Sequence, residues 1–239
     1  MSAPAPALVS VIIPTWQEEA TLETCLRSLL ECEGPIEILV ADAGSTDRTL
    51  EVATKLEPRG VRVVHCGSRG RATQMNEAAA EARGSILWFV HADSRVHRES
   101  ATRIRTALEE DGTALGAFRF AVDSRRFRFR VLERAVALRT RRLRCPYGDQ
   151  GLFVRRALFE RIGGYADQPL LEDLHLVRRL RREGSLYVVN LPLETSARRW
   201  EERGFLRTTW QHLRILTLDR LGVPPERLRR VREHPDPAR

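Results

Sequence analysis

The sequence predicts an α/β fold built on a doubly wound, mainly parallel sheet with helices on both faces. Two observations lead to this class. In the first hundred residues, apolar runs of strand length alternate with amphipathic segments of helix length, which is the order expected of parallel βαβ units. The strand-like runs are also apolar at almost every position, as is typical of strands buried on both faces.

The first half of the chain is expected to hold four strands, each followed by a helix. Val9–Thr15 (VSVIIPT) is an almost unbroken β-branched run, and β-branched side chains favour extended structure. The next three strands are predicted at 36–41, 61–65 and 86–90. The helices are predicted at 18–30, at 46–56, from Gly70 through 82, and at 99–109. Ser45 would cap the second of these helices, with Asp47 in its first turn.

The second half is less regular and is expected to hold three strands and four helices. The strands are predicted at 115–122, 151–154 and 186–190, and the helices at 126–142, 156–162, 172–182 and 205–221. Apolar residues at helical spacing support the helices: Phe129, Leu132 and Val136; Leu174, Val177 and Leu180; and Leu206, Trp210, Leu213 and Leu216. We expect the last helix to cover the core or to form a dimer face.

Composition excludes several classes of protein. The chain has 40 basic and 32 acidic residues, a formal charge of +8, and a single lysine, Lys55. Arginine favours bidentate contacts with phosphate or carboxylate, although habitual arginine use on solvated helix faces explains the charge equally well. No apolar run is long enough to span a bilayer, and the N-terminus is expected to be a short tail rather than a signal peptide. The four cysteines are expected to be reduced thiols in the cytoplasm, and no nucleic-acid motif is present.

Residues that can contribute to a ligand site lie at or just after the end of each of the first four strands. They are Pro14, Thr15 and Glu18, then Asp42, then Gly70 and Arg71, then His91 and Asp93. In open parallel sheets, ligands bind beyond the carboxyl ends of the strands. Any one of these residues could be a helix cap or a loop residue, but the set on one rim predicts a binding site.

Six motifs give the chain a resemblance to family 2 glycosyltransferases of the GT-A fold. The nucleotide-binding half of that family is resembled by VSVIIPTWQEE, VADAGSTDRT, GRATQMNEA and WFVHAD, and the acceptor half by YGDQGLFVRRALFERIGGY and PLLEDLHLVRRL. The match runs over 9–200 in the family's order, and the HAD and GDQ variants resemble a compact, soluble bacterial branch. The resemblance implies one domain at 8–222, with a nucleotide-sugar-binding half (8–97) and a smaller acceptor half (98–222). Flexible tails are expected at 1–7 and 233–239.

The resemblance implies a donor site at the sheet rim. Pro14, Thr15 and Glu18 would line the nucleobase and ribose pocket. Asp42 would accept hydrogen bonds from the base, where a mismatched base would leave a buried carboxylate unsatisfied. Arg71 would contact the base or the diphosphate. The donor is then a UDP-sugar, as the commonest in the family, with a GDP-sugar as the alternative.

The resemblance also implies a divalent metal, Mn²⁺ or Mg²⁺. Asp93 stands where the last aspartate of the family's DXD motif binds the cation, and a hard ion suits a carboxylate and two phosphates. His91 replaces the first aspartate, so the number of protein ligands stays open. His91 either contacts the ribose or packs at the strand end, and Ala92 between the two is grouped with the donor-binding residues.

The acceptor half would supply the general base. By resemblance this is Asp173, with Glu172 positioning the acceptor, in a transfer that inverts the anomeric centre. A carboxylate within hydrogen-bond reach can accept the proton of the acceptor hydroxyl. Both residues could instead only place charge at a helix N-terminus, which would also keep Asp173 ionised. Asp149 and Gln150 would lie beside the acceptor, although Asp149 also fits a Gly-Asp turn.

Two arginine-rich segments are open to more than one interpretation. Arg198, Arg199 and Arg203 could close over the diphosphate or begin a solvated basic helix. The stretch RRFRFR at 125–130 is either a helix start packed on the sheet or a patch for an anionic acceptor or a membrane surface. The expected partners are the nucleotide-sugar donor and an acceptor that is unidentified, with anionic and lipid-linked molecules as candidates. A homodimer and peripheral contact with the inner face of the membrane are further expectations.

Rival functions lack their motifs. A dinucleotide-dependent oxidoreductase needs G-x-G-x-x-G after the first strand, and a P-loop enzyme needs G-x-x-x-x-G-K-[ST]; neither is present. A nucleotidyltransferase usually opens with a Gly-rich basic loop, which PTWQEE is not. A non-catalytic nucleotide-binding protein of similar architecture would be favoured if Asp93 or Asp173 were missing, and both are present.

Overall fold

Eight strands form one mixed sheet in the computed structural model, which describes residues 5–233. The expected tails therefore lie largely outside the described residues, which begin at 5 and end at 233. The sheet has the strand order β3-β2-β1-β4-β7-β6-β8-β5. The strands are β1 Val9–Thr15, β2 Ile36–Asp42, β3 Val61–His65, β4 Ile86–Phe89, β5 Ser94–Arg95, β6 Thr113–Val122, β7 Phe153–Arg155 and β8 Ser185–Thr195.

Helices follow most of the strands and cover both faces of the sheet. They are α1 Leu22–Leu30, α2 Thr49–Thr54, α3 Arg71–Glu81, α4 Ser100–Glu109, α5 Phe127–Leu143, α6 Arg156–Arg161, α7 Glu172–Glu183, α8 Arg198–Arg203, α9 Phe205–Arg220 and α10 Pro225–Glu233.

The strand pairing changes character across the sheet. The pairs β3–β2, β2–β1 and β1–β4 are parallel, whereas β7 runs antiparallel to both β4 and β6. Beyond β7, β8 pairs parallel with β6 and antiparallel with the short β5. In register, Thr15 lies opposite Asp42, and Asp42 lies opposite His65. The carboxyl ends of the first strands therefore meet at one rim.

Two apolar cores separated by the sheet hold the fold together. Alternate side chains of β1 point to opposite faces, so Val11 enters the core with α1 and α4, and Ile12 enters the core with α3 and α7. Both side chains are fully buried, and burial of such a side chain stabilises the folded state by about 1.5–3 kcal/mol. The predicted α/β class with helices on both faces is confirmed.

The second predicted helix is wrong in its start and its cap. The helix begins at Thr49 rather than 46, and the Ser45 hydroxyl donates to Asp42 at 2.5 Å instead of capping. Asp47 accepts the Thr49 backbone N–H at 3.0 Å. The Ser45 hydroxyl is therefore bound to the Asp42 carboxylate and does not cap the helix, which begins three residues later than predicted.

The predicted last helix does not use its leucine stripe to cover the core. Leu206, Trp210 and Leu213 are 81%, 70% and 53% exposed, while Thr208 and Ile215 face inward. Three of the four stripe residues therefore lie on the outer side of α9, and Leu216 is partly buried. Sequence patterns missed α10 and β5, whereas a helix at Arg198–Arg203, observed as α8, was one of two interpretations of that segment. Strand β8 runs further than 190, through a register shift before Pro192.

Candidate active site

Hydrogen bonds tie the ends of β1 and β2 together. Thr15 Oγ1 donates to Asp42 Oδ1 at 3.1 Å, and the backbone N–H groups of Gly44 and Ser45 each donate to Asp42 Oδ2 at 2.9 Å. With the Ser45 hydroxyl, the buried Asp42 carboxylate has four protein donors, which matches its lone-pair capacity. Recognition of a base by Asp42 stays a prediction, and it requires one of these donors to move.

Gln74 is a site residue that sequence reasoning missed. This α3 side chain is 4% exposed, and its Nε2 donates to the carbonyl oxygens of Thr15 and Ala41 at 2.8 Å each. It therefore joins the ends of β1 and β2 from below the rim. The signal in the sequence was a glutamine on the apolar stripe of the helix, next to Met75.

The loop after β1 also presents an exposed aromatic ring. Trp16 is 42% exposed, and the Arg69 guanidinium lies 3.4 Å from its ring centroid, a cation–π geometry. Pro14 is buried within β1. Burial raises the pKa of Glu18, and the charge of Asp93 raises it further. The loop after β1 thus places an aromatic ring, Trp16, close to a cation, Arg69, and an acidic residue, Glu18.

The HAD segment places its three residues differently. Burial lowers the pKa of His91 well below its usual range, and the charges of Arg71 and Arg199 lower it further, so the ring is neutral. Arg71 Nη1 lies 3.4 Å from His91 Nε2. Ala92 packs into the apolar core. The backbone carbonyl oxygen of Asp93 accepts a hydrogen bond from the Ser196 backbone N–H at 3.2 Å. This bond does not involve the Asp93 carboxylate.

The charge of Asp93 also acts on a second carboxylate, that of Asp149. Burial raises the pKa of Asp149, and Asp93 raises it further, while Arg139 and Arg199 oppose the shift. Asp149 Oδ1 is buried without a hydrogen-bond partner among the described residues. A buried carboxylate oxygen without a donor, beside another carboxylate, suits a hard divalent cation. Within 5–233, no group of three or more His, Cys, Asp or Glu side chains could hold a metal ion, so a donor phosphate would have to complete the shell.

Arg71 connects the donor rim to the start of α7. Its Nη2 lies 2.5 Å from Glu172 Oε1 and 3.7 Å from Asp173 Oδ2. Both carboxylates are nearly buried, at 3% and 7% exposure, and they raise the pKa of Arg71. The structure therefore brings Arg71, His91, Glu172 and Asp173 together, as the motifs implied.

Asp173 does not have the low pKa that a helix N-terminus was expected to give it. Burial raises the pKa of Asp173 to about 7, and the neighbouring Glu172 and Asp149 contribute to the rise, while Arg71 opposes it. Desolvation of the charged form outweighs the helix dipole because the dipole acts through only partial charges. The carboxyl is thus poised to exchange a proton near neutral pH.

The Gly148–Gln150 turn packs directly on the base candidate. A Cβ at Gly148 would overlap the Asp173 carboxylate, so only glycine fits there. Gln150 is 1% exposed; its Oε1 accepts from Arg139 at 3.0 Å and Thr140 at 3.1 Å, and its Nε2 donates to the Phe118 carbonyl at 3.0 Å. Gln150 supports the turn, and its side chain reaches an acceptor only if these bonds break.

The arginines after β8 differ in what they face. Arg198 Nη2 lies 3.6 Å from Glu18 Oε2. Arg199 forms no ion pair within the described part of the chain, but its charge acts on the pKa of Glu18, His91 and Asp149. Arg199 is therefore close enough to the site for its charge to act on these three groups. Among residues 5–233, no contact links Arg203 to the site.

The rim site and the sheet topology define a GT-A fold. A sequence model of glycosyl transferase family 2 matches residues 10–166, and the chain belongs to this family.

Known proteins similar to this chain include both sequence relatives and solved structures. A PGL/p-HBAD biosynthesis glycosyltransferase of Mycobacterium bovis is 33% identical over 172 residues, 69% of this chain and 64% of that one. Similar folds include a Pyrobaculum calidifontis mannosyltransferase in complex with GDP-Man and Mn²⁺, with a TM-score of 0.67 and 21% identity over 90% of this chain and 65% of that one. Another is glucosyl-3-phosphoglycerate synthase of Mycobacterium tuberculosis with Mn²⁺ and UDP, with a TM-score of 0.64 and 23% identity over 91% and 81%.

The chain spans less than two thirds of the length of the first curated relatives it matches, from 31% to 64%. In the part of the chain that is described, none of the helices has the length and hydropathy needed to cross a bilayer.

Proposed function

We propose that the protein transfers a sugar from a nucleotide-diphosphate sugar to an acceptor hydroxyl, with inversion at the anomeric carbon. One observation carries the proposal: a cationic arginine, Arg71, joins the strand-end rim to two buried carboxylates at the start of α7. The residue proposed to bind the sugar donor, Arg71, therefore lies next to the residues proposed to bind the acceptor, Glu172 and Asp173. Membership of glycosyltransferase family 2 supports the reaction class.

The donor would lie along the carboxyl ends of β1, β2 and β4. Trp16 offers an exposed ring for a nucleobase to stack on, and Thr15 and Glu18 flank it. The diphosphate would lie between Arg71 and Arg199, since these cations face the same His91 ring. UDP-sugars remain the first candidates, and the GDP-Man complex of the Pyrobaculum neighbour keeps GDP-sugars as the second.

Asp93 and Asp149 would hold a divalent cation, Mn²⁺ or Mg²⁺. A bound cation would act as a Lewis acid that stabilises the departing diphosphate. The unsatisfied Oδ1 of Asp149 supports this assignment, and both similar structures contain Mn²⁺. His91 is neutral and lies beside Arg71, so its ring can hydrogen-bond the ribose without repelling the cation.

Asp173 would act as the general base. Its Oδ2 would accept the proton of the acceptor hydroxyl as that oxygen attacks the anomeric carbon from the face opposite the diphosphate. Glu172 holds Arg71 at 2.5 Å and is therefore the residue that positions this cation between the two substrates. Asp149 would line the acceptor side of the same space.

The proposal includes the partners of the enzyme. The acceptor is a hydroxyl compound, with an anionic or lipid-linked molecule as the candidate. We place the protein in the cytoplasm with peripheral contact at the inner face of the membrane. A homodimer is a further candidate assembly.

A thermal-shift screen tests the donor assignment. UDP- and GDP-sugars are added with Mn²⁺, with Mg²⁺ and with EDTA, because a ligand that binds only the folded state raises the unfolding temperature. We expect one nucleotide class to stabilise the protein and the effect to vanish in EDTA. A protein that no nucleotide diphosphate stabilises under any of these conditions would contradict the proposal.

A further inference from the structure

The segment that contains α5 carries a charge equal to the net charge of the molecule. Residues 125–144, which contain α5, have nine arginines and one glutamate, so this segment alone has a charge of +8. The whole chain also has a formal charge of +8. The remaining residues are therefore neutral in sum, and the excess positive charge of the protein is concentrated in this segment.

The outer side of α5 also exposes apolar side chains. The inner side buries Phe129 and Val136. On the opposite side, Phe127, Val131 and Leu138 are 75%, 48% and 58% exposed, and their spacing of four and seven residues places them on one stripe. The helix is thus apolar on both sides, and only one of them is covered by the protein.

Exposed arginines lie beside this stripe without acidic partners. Within residues 5–233, no ion pair is found for Arg134, Arg141 or Arg142, and all three are exposed. Some exposed arginines elsewhere do have acidic partners, as in the pairs Arg27–Glu23 at 2.6 Å and Arg103–Glu99 at 2.9 Å. These three cations are therefore available to an external anion.

We propose that the outer side of α5 docks on a bilayer surface that contains anionic headgroups. A helix with an apolar stripe and flanking arginines lies in the membrane interface, where its apolar side chains enter the headgroup boundary and its cations reach phosphate. Nucleic acid would satisfy the arginines but would leave Val131 and Leu138 without apolar contact. The inference builds on the proposed function, which includes peripheral membrane contact, and assigns that contact to α5. Membrane binding through α5 can be measured without the transfer reaction.

The same helix supports the acceptor side of the site. On its inner side, Arg139 and Thr140 hold Gln150, which belongs to the turn that contacts Asp173. A protein docked through α5 would therefore keep this turn next to the bilayer. If the proposed function holds, this orientation favours an acceptor hydroxyl presented at the membrane surface.

Vesicle co-sedimentation of the full chain tests the docking surface. We expect binding to vesicles that contain phosphatidylglycerol, little binding to phosphatidylcholine alone, and release at high salt. Each arginine near an anionic surface contributes about a factor of five in affinity, so Arg141→Gln/Arg142→Gln should bind about 25-fold more weakly. Val131→Ser/Leu138→Ser should weaken binding about tenfold, through lost apolar burial.

Matched variants control for charge and exposure. Arg59→Gln/Arg83→Gln makes the same charge change at exposed residues outside α5, and Val188→Ser makes the same apolar change at a residue that is 38% exposed on β8. We expect both to bind vesicles like the parent.

Four results would overturn the proposal: no vesicle binding, equal binding to phosphatidylcholine, equal losses in the control variants, or binding to an oligonucleotide in place of vesicles. A dimer that dissociates in the α5 variants while vesicle binding persists would assign the face to a second copy instead. Nucleotide-dependent thermal shifts, measured on the same variants, separate a failure of docking from a failure of the proposed function.

Discussion

Three aspartates of the site differ in what surrounds their carboxylates. Asp42 accepts four protein hydrogen bonds and is a fixed part of the rim. Asp149 has a buried oxygen without a donor in the described part of the chain, which suits a cation. Asp173 is buried beside a second carboxylate, which raises its pKa and suits proton transfer. The three aspartates are therefore proposed for three different roles, because their burial and their hydrogen-bond donors differ.

Asp173→Asn tests the general base. The amide keeps the shape of the side chain but cannot accept the proton, so we expect kcat to fall at least about 100-fold with donor binding retained. Initial rates with a donor found by thermal shift, together with titration of that donor, measure the two effects. Asp167→Asn, at an exposed loop position, should keep the parent rate. An Asp173→Asn enzyme as fast as the parent would remove the base from this residue.

The raised pKa of Asp173 predicts opposite pH dependences for rate and stability. The rate should rise with pH through about 7, because the base must be ionised. The folded protein holds this proton at pH values where the unfolded carboxyl, with an ordinary pKa of 3.8, has lost it. The free energy of unfolding therefore falls as the pH rises between these values.

Urea unfolding at about pH 5 and about pH 8 checks the sign of this stability effect. The parent should lose more stability between the two pH values than Asp173→Asn, since the variant has no carboxyl to ionise. Equal losses in the two proteins would show that burial does not raise this pKa.

Gly148→Ala tests the close packing of the turn on the base. The added methyl overlaps the Asp173 carboxylate, so the carboxylate must move, and a displacement of about 1 Å can cost about 100-fold in rate. We expect kcat to fall while donor affinity is kept. Gly67→Ala, where an added Cβ meets no atom within 4 Å, is the control. A Gly148→Ala enzyme with the parent kcat would contradict the packing.

At the scale of elements, the donor rim is assembled by cross-links between the loops after β1 and β2. Gln17 Nε2 donates to Thr46 Oγ1 at 2.7 Å, and the Glu18 backbone N–H donates to Thr49 Oγ1 at 2.8 Å. Repeating apolar patterns predicted the strands and helices on either side. They did not predict these loops, because hydrogen bonds between residues about thirty positions apart leave no periodic signal; the incorrect Ser45 cap is the result.

Gln74→Ala tests the strand-end connection. The change leaves the carbonyl oxygens of Thr15 and Ala41 without this donor, and a buried unsatisfied polar group costs about 1–3 kcal/mol. We expect that loss in the free energy of unfolding by urea, with weaker nucleotide binding. Gln168→Ala removes a single bond to the Leu170 carbonyl at 3.1 Å and should cost less. Equal effects of the two substitutions would argue against a special role for Gln74.

For the whole molecule, the sequence was enough to predict the α/β class, because alternating strand and helix patterns limit the topology strongly. It also predicted that residues as distant as Arg71 and Asp173 share one site, through the family's motifs. It left open whether the apolar stripe of α9 faces the core or a dimer partner, since the residue pattern is the same in both cases. Nor did it predict that burial would control the pKa of Asp173, because this burial depends on residues distant in sequence, such as Arg71 of α3 and Gly148 of the turn.

The most direct test of the account is whether Asp93 helps to hold a divalent cation together with a nucleotide diphosphate. Electron paramagnetic resonance of free Mn²⁺ measures this binding with UDP and with GDP, in the parent and in Asp93→Asn. We predict that one of the nucleotides increases Mn²⁺ binding by the parent and that Asp93→Asn binds Mn²⁺ at least about tenfold more weakly. Asp111→Asn, at an exposed loop position, should behave like the parent. Equal Mn²⁺ binding by the parent and Asp93→Asn would contradict the metal assignment and the transfer mechanism built on it.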